Sequence, residues 1–425
     1  FITNDADGLT VNASLSAALG AGEKLFYSND NGATWIDVTS AVNGTLVSYV
    51  DDALTSSTTV QFRVVDAAGN AGSLASQAIV IDTVATTTIV SIDSISTDSG
   101  VVGDFITNDA DGLTVNASLS AALGAGEKLF YSNDNGATWI DVTSSVNGTA
   151  VSYVDDALTS STTVQFRVVD AAGNAGSLAS QAIVIDNSFP TVSVSIDSIS
   201  TDSGVVGDFI TNDADGLTVN ASLSAALAAG EKLFYSNDNG ATWIDVTSSV
   251  NGTAVSYVDN ALTSSTTVQF RVVDAAGNAG SLASQAIVID TVAPTTSVTI
   301  DSISTDSGVV GDFITNDADG LTVNASLSAA LGAGEKLFYS NDNGATWIDV
   351  TSSVTGTAVS YVDNALTSST TVQFRVVDAA GNAGSLASQA IVIDNSFPTV
   401  SVSIDSISTD SGVVGDFITN DADGL

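Results

Sequence analysis

The sequence predicts an all-β chain, built as a string of antiparallel β-sandwich modules of about seven strands each, and three observations carry that prediction. The stretch "FITNDADGL" begins at Phe1, Phe105, Phe209, Phe313 and Phe417, a period of 104 residues. That is domain-sized, well above the roughly 20–50 residues of solenoid and propeller repeats. Within each period, short runs alternate apolar and polar residues, the period-2 mark of strands with one buried face. Asn, Asp and Gly punctuate the runs, and no long amphipathic helix lies between them.

The repeat divides the chain into a module lacking its first strand (1–82), three full modules (83–186, 187–290 and 291–394) and the start of a further one (395–425). In 187–290, "TVSVSID" (191–197) sets Val192, Val194 and Ile196 on one face. "LTVNASL" (217–223) does the same with Leu217, Val219, Ala221 and Leu223. "KLFYS" and "TWIDV" flank "NDNG" (237–240), whose Asn-Gly pair suits a tight turn with positive φ. "AVSYV" (254–258), "TTVQFRVV" (266–273), the turn "DAAGN" (274–278) and "SQAIVID" (284–290) complete the module. The Ala- and Leu-rich "ASLSAALAAG" is read as irregular, because the alternation starts upstream and Gly230 ends the run.

Composition narrows the chemistry. The 48 acidic residues against 8 basic ones give a net charge of −40, which disfavours nucleic acid and anionic membranes through repulsion of phosphates. Cysteine and histidine are absent, so disulfides, thiolate sites and the commonest general base are excluded. No apolar run is long enough to insert directly into a membrane. Near-identical copies multiply one geometry, whereas an enzyme needs one site.

The aspartates call for a partner. Residues 97–112, "TDSGVVGDFITNDADG", hold Asp98, Asp104, Asp109 and Asp111 with no basic residue beside them. Short carboxylates on a glycine-bearing loop suit Ca2+, which takes six to eight oxygen ligands in irregular geometry. Strand directions place this loop at the far end of its module and "DAAGN" at the near end. The junction after module 83–186 therefore gathers that loop, Asp186, and Asp274 with Asn278. The next junction gathers Asp202, Asp208, Asp213, Asp215 and Asp290 with Asp378 and Asn382. Asp82 faces Asp170 and Asn174 at the first junction. Asp66 and Asn70 stand at the near end of the first module, and Asp306, Asp312, Asp317, Asp319 and Asp394 at the far end of the last full one. Several calcium ions per module are expected.

Other residues invite plainer readings. Trp35, Trp139, Trp243 and Trp347 are expected to pack across strands rather than to bind sugars. Arg63, Arg167, Arg271 and Arg375 are expected to form surface ion pairs.

The order "TDSGVVGDFITNDADG", "VVDAAGNAG", "QAIVID" and then "NSFPTV" or "TVAPTT" resembles the bacterial Ig-like extender modules of large RTX adhesins, ice-binding ones included. The resemblance covers the whole chain. It implies Ig-like sandwiches in an elongated rod, stiffened by calcium at the acidic loops and linkers, exported to the cell surface and holding a distal binding domain away from the cell. Thr86 replaces the proline found at 190, 294 and 398, which implies a less constrained first linker. A repeated low-affinity site for a glycan, a surface or ice is the alternative. The incomplete ends are expected either to fray or to meet head to tail between molecules, residues 395–425 of one completing the first module of another.

Overall fold

The computed structural model describes residues 1–409, 413–420 and 422. Module 187–290 stacks a sheet of four strands, Val194–Ile199, Leu217–Leu223, Ala254–Asp259 and Val250–Asn251, on one of five. The second sheet runs Ile210–Thr211, Ala283–Ile289, Thr266–Val273, Lys232–Ser236 and Ile244–Asp245. These are the expected sandwiches, repeated in modules 83–186 and 291–394. In 1–82 the first sheet has three strands. Part of segment 395–425 lies outside the described residues. "ASLSAALAAG" holds no helix, and the helical elements among the described residues are 3-10 turns such as Thr247–Ser249.

Two strands per full module are too short for periodicity to reveal: Val250–Asn251, and Ile210–Thr211 inside the acidic segment. The latter pairs in parallel with the exit strand, Ile210 against Val288 and Thr211 against Ile289, while the other pairings of the module are antiparallel. The first strand also departs from simple alternation. A register shift between Ile196 and Ser198 buries Ile199, and Val192 is buried ahead of the strand, with Val194 and Ile196 packed partly between.

The core is the expected inward set. Leu217, Val219, Leu233, Tyr235, Val268 and Phe270 are fully buried, each apolar side chain contributing roughly 1.5–3 kcal/mol. Tyr235 lies 4.9 Å from the Phe270 ring and 4.7 Å from that of Tyr257, both tilted. Its hydroxyl donates to buried Asp259 at 2.9 Å, and Asn237 Nδ2 and the Ala261 N–H donate to the same carboxylate. Burial and the Asp259 charge push the Tyr235 phenol well above its ordinary range. This buried polar knot recurs as Tyr27–Asp51, Tyr131–Asp155 and Tyr339–Asp363.

At the turn expected from "NDNG", Asn239 and Gly240 have φ of 58° and 86°. Trp243 packs here, as expected, and the Arg271 guanidinium lies 4.0 Å above its ring. The surface ion pairs expected for the arginines are replaced by this stacking in all four modules. The ion pairs among the described residues instead join Lys24, Lys128, Lys232 and Lys336 to Asp37, Asp141, Asp245 and Asp349. The arginine's strand is separated from the one after the tryptophan by Lys232–Ser236, and its long side chain reaches across to the ring, where its planar, weakly hydrated head gains more than from a solvated carboxylate.

Two predictions follow from the core and this turn. Replacing Tyr235 by Phe leaves Asp259 buried and short of one donor, and should destabilise its module by about 1–3 kcal/mol. Amide hydrogen exchange should report that loss in module 187–290 and no change in its neighbours. At the turn, the Thr138 hydroxyl and N–H, followed by the Ser132 hydroxyl, hold Asp134 down to about 2. Asp30, Asp238 and Asp342 are held likewise. A depressed carboxylate stabilises the fold above its unfolded value of about 3.9, and that contribution is lost as pH falls through about 2. Changing Thr34, Thr138, Thr242 and Thr346 together to Val should move acid unfolding to higher pH, as followed by circular dichroism.

Candidate metal and linker site

The parallel pairing at Ile106–Thr107 anchors the far end of module 83–186. Beyond it, the Asp186 N–H donates to the Thr107 carbonyl at 2.8 Å, which sets the acidic loop beside the residue that leaves for the next module. Asp82, Asp290 and Asp394 are tied in the same way to Thr3, Thr211 and Thr315. The loop and the terminal aspartate thus lie together, as the strand directions require.

Within the loop, the carboxylates turn first to their own backbone. Asp104 accepts from the Ile106 N–H at 2.9 Å and Asp109 from the Asp111 N–H at 3.1 Å. Asp208 and Asp213, and Asp312 and Asp317, repeat this. Asp111, Asp215 and Asp319 are exposed. Asp98 differs: its Oδ2 accepts from the Gly103 N–H at 2.6 Å, while its Oδ1 is buried and has no hydrogen-bond partner. Asp202 and Asp306 share that state. A buried charged oxygen without a donor is costly.

Across the junction, "DAAGN" of the following module closes on the linker. Asp274 accepts from the Asn278 N–H and side-chain amide, both at 2.9 Å, and the same amide donates to the Asp186 carbonyl at 2.8 Å. Asn174 reaches the Asp82 carbonyl and Asn382 the Asp290 carbonyl, each at 2.7 Å. Asp66 and Asn70 form the same internal pair at the near end of the first module.

The structure therefore joins each expected pair, but through the backbone carbonyl of the terminal aspartate. The carboxylates of Asp186 and Asp290 cap the linker instead, at the N–H of Ser188 and of Val292. Ser188 lowers the Asp186 carboxyl, and Ser396 does so for Asp394. At Asp170, burial pushes upward, but the bonds from Asn174, Ala172 and Gly173 outweigh it and the net direction is down. The carboxylates of Asp170, Asp186 and Asp394 therefore stay charged at neutral pH.

Among the described residues, no group of three or more acidic side chains converges as a ready-made metal cage. The donors at the junction are all oxygen, and the orphaned Asp98 Oδ1 points to a hard cation. The residues present fit calcium on that ground.

At the first linker, Thr86 in place of proline ties the linker to its own module. The Thr86 hydroxyl donates to Glu127, and the Thr88 hydroxyl reaches the same carboxylate at 3.4 Å. A hydrogen bond stands where proline restrains φ elsewhere. Sequence reasoning also missed Ser99, whose hydroxyl donates to the Ala276 carbonyl of the next module at 2.6 Å. The recurrence of Ser-Gly inside every acidic loop was the available signal.

Sandwiches tied end to end by one repeated constellation define a tandem array of β-sandwich domains. The profile of the bacterial Ig-like domain matches residues 12–83, 88–187, 193–291 and 296–395, and the chain belongs to that family. No curated protein matches it. Among solved structures, it is similar to a tetra-tandem repeat from the extending region of a large adhesion protein, at 15% identity, covering 93% of this chain and 98% of that one, with a TM-score of 0.28. It is also similar to a Ca2+-stabilized adhesin that helps an Antarctic bacterium reach out and bind ice, at 22% identity, covering 92% and 94%, with a TM-score of 0.34. Fibronectin(III)-like modules of Clostridium thermocellum CbhA match at 14% identity over 46% and 93%, with a TM-score of 0.27.

A junction prediction separates the two roles of the linker aspartate. Replacing Asn382 by Ala removes the amide that holds the Asp290 carbonyl and should loosen the junction between 187–290 and 291–394. Replacing Asp290 by Ala keeps that carbonyl and should loosen the junction only in calcium, when its carboxylate counts as a ligand. Small-angle scattering of both variants, with calcium and with chelator, checks this.

Proposed function

We propose that this chain is a calcium-stiffened structural extender of a bacterial surface adhesin, an extracellular spacer that holds a distal binding domain away from the cell. The observation that carries the reading is the recurrence, at three successive junctions, of an asparagine in one module bonded to the terminal aspartate of the module before it. A spacer needs every junction alike, whereas catalysis needs one cleft.

Calcium would be held by the loop aspartates Asp98, Asp104, Asp109 and Asp111 with Asp186, Asp274 and Asn278, and by their equivalents at the other junctions, several ions per module. When bound it supplies positive charge amid a net charge of −40. The chain's own part is to leave Asp98 Oδ1 without a donor, Oδ2 being taken by the Gly103 N–H, and to set the loop beside the terminal aspartate.

No helix among the described residues is long and apolar enough to cross a membrane. Nucleic acid is no partner in this reading, because the acidic surface repels it. Association between copies is part of it: the first module has an open groove of about 510 Å³ lined by Leu9, Val11, Ala13, Val60, Phe62 and Ile79. The apolar side chains Val402 and Ile404 are exposed in a stretch whose sequence, "SVSIDSI", is that of 193–199. Head-to-tail contact through these two places should make light scattering rise with concentration, and removal of 396–425 should abolish the rise.

Calcium titration tests the main reading. With free ion a hundredfold above its dissociation constant, one site should add about 2.7 kcal/mol to stability. Chelation should lower the melting temperature and, by bending at the first junction, where Asp82 meets Asp170 and Asn174, shorten the maximum dimension in scattering. An unchanged melting temperature and profile would remove calcium from the account.

A further inference from the structure

At the second and third junctions the acidic loop does more than carry carboxylates, because its Ser-Gly pair leaves its own module and seats on the next. Ser99 Oγ donates to the Ala276 carbonyl at 2.6 Å and accepts from the Asn108 N–H at 2.9 Å. Ser203 makes the same pair of bonds, to the Ala380 carbonyl at 2.6 Å and from the Asn212 N–H at 2.8 Å. Backbone meets backbone beside them. A Cβ on Gly100 would stand 2.1 Å from the Ala275 carbonyl oxygen, and one on Gly204 2.0 Å from that of Ala379. Ala276 and Ala380, in the receiving turns, are each 1% exposed. The sequence holds no further "DAAGN" after 378–382, so Gly308 serves as a reference without a receiving turn: a Cβ there would meet nothing within 4 Å, and Val309 is 69% exposed against 46% for Val101 and 45% for Val205.

We propose that this Ser-Gly tongue is a metal-independent latch that fixes the angle between modules, with Gly100 and Gly204 as its positioning residues. The proposal rests on the extender reading, since a fixed angle matters only to a spacer. Two contacts cross each such junction, the tongue on the turn and, at the second junction, the Asn278 amide on the Asp186 carbonyl, while Gly280 against Pro190, where a Cβ would lie 3.1 Å from the proline oxygen, holds the linker to its own module 187–290. One contact leaves a hinge, and a second, from a different segment of the preceding module, restricts the rotation about it. The tongue contact uses a hydroxyl and neutral backbone groups, so it needs no cation to form. The first junction provides an internal comparison, because the sequence enters the repeat at Phe1 and holds no Ser-Gly pair ahead of it. It has the Asn174 amide on the Asp82 carbonyl.

Because the chain has no native cysteine, spin labels can be placed cleanly. Cysteine at the exposed positions Ser264 and Ser368 brackets the third junction, and at Ser56 and Ser160 the first. Distance distributions of the full chain in chelator should be narrow across the third junction and broader across the first. Gly204→Ala should widen the third to the breadth of the first, with circular dichroism unchanged. Gly308→Ala carries the same positive φ, +89° against +81°, without a cross-module neighbour, and should leave the third junction narrow. Ser203→Ala, which keeps the backbone fit, should widen it less than Gly204→Ala and covers the case in which the glycine variant misfolds. A third junction in chelator as broad as the first, or one indifferent to Gly204→Ala and Ser203→Ala, overturns the latch. Narrow distributions in a chain that scattering shows to be compact would instead sink the extender reading while leaving the latch in place.

Discussion

The two-residue parallel pairing inside the acidic segment is the contact on which the junctions depend. Ile210 and Thr211 lie along Val288 and Ile289, and the Asp290 N–H closes the run on the Thr211 carbonyl. Without it, the stretch from Thr201 to Gly216 would be a long, highly charged loop free to move away from the exit strand. With it, one end of the sandwich becomes a rigid platform that holds the loop, the terminal aspartate and the start of the linker in one frame. The following module then finds the Asp186 or Asp290 carbonyl at a set position and closes on it with a single asparagine.

Charge works against this compactness. Carboxylates gathered at each junction repel across the short distances that the loop allows. Part of the response is local: Asp104, Asp109 and their equivalents turn to backbone N–H groups, which hold the loop's shape. Asp98, Asp202 and Asp306 are left with a buried oxygen that no donor reaches. In the proposed function a cation would answer that deficit, at the loop that meets the next module. Neutral contacts of Ser99 and Ser203 with the next module share the same loop, so electrostatics and shape act on one hinge.

Inside each sandwich the sources of order are of another kind. Tyr235 between Phe270 and Tyr257, with its hydroxyl on Asp259, joins the two sheets at a point where apolar packing and a satisfied buried charge coincide. Such a knot specifies how the sheets face each other. These contacts within the module involve no ion.

The sequence by itself determined the period, the sandwich and the inward-facing residues, because strands of five to eight residues repeat their pattern often enough for alternation to be read at Leu217–Leu223 or Thr266–Val273. Strand direction was enough to bring Asp186 to Asn278. It could not show that their meeting runs through a backbone carbonyl, since carbonyls carry no residue identity. Nor could it show that Arg271 covers Trp243, that Thr86 finds Glu127, or that Ser99 crosses to Ala276. Those contacts join residues up to 177 positions apart. They were decided only when the tertiary structure set sheet edges and module ends against one another, because a side chain's partner depends on distance in space and not on order along the chain.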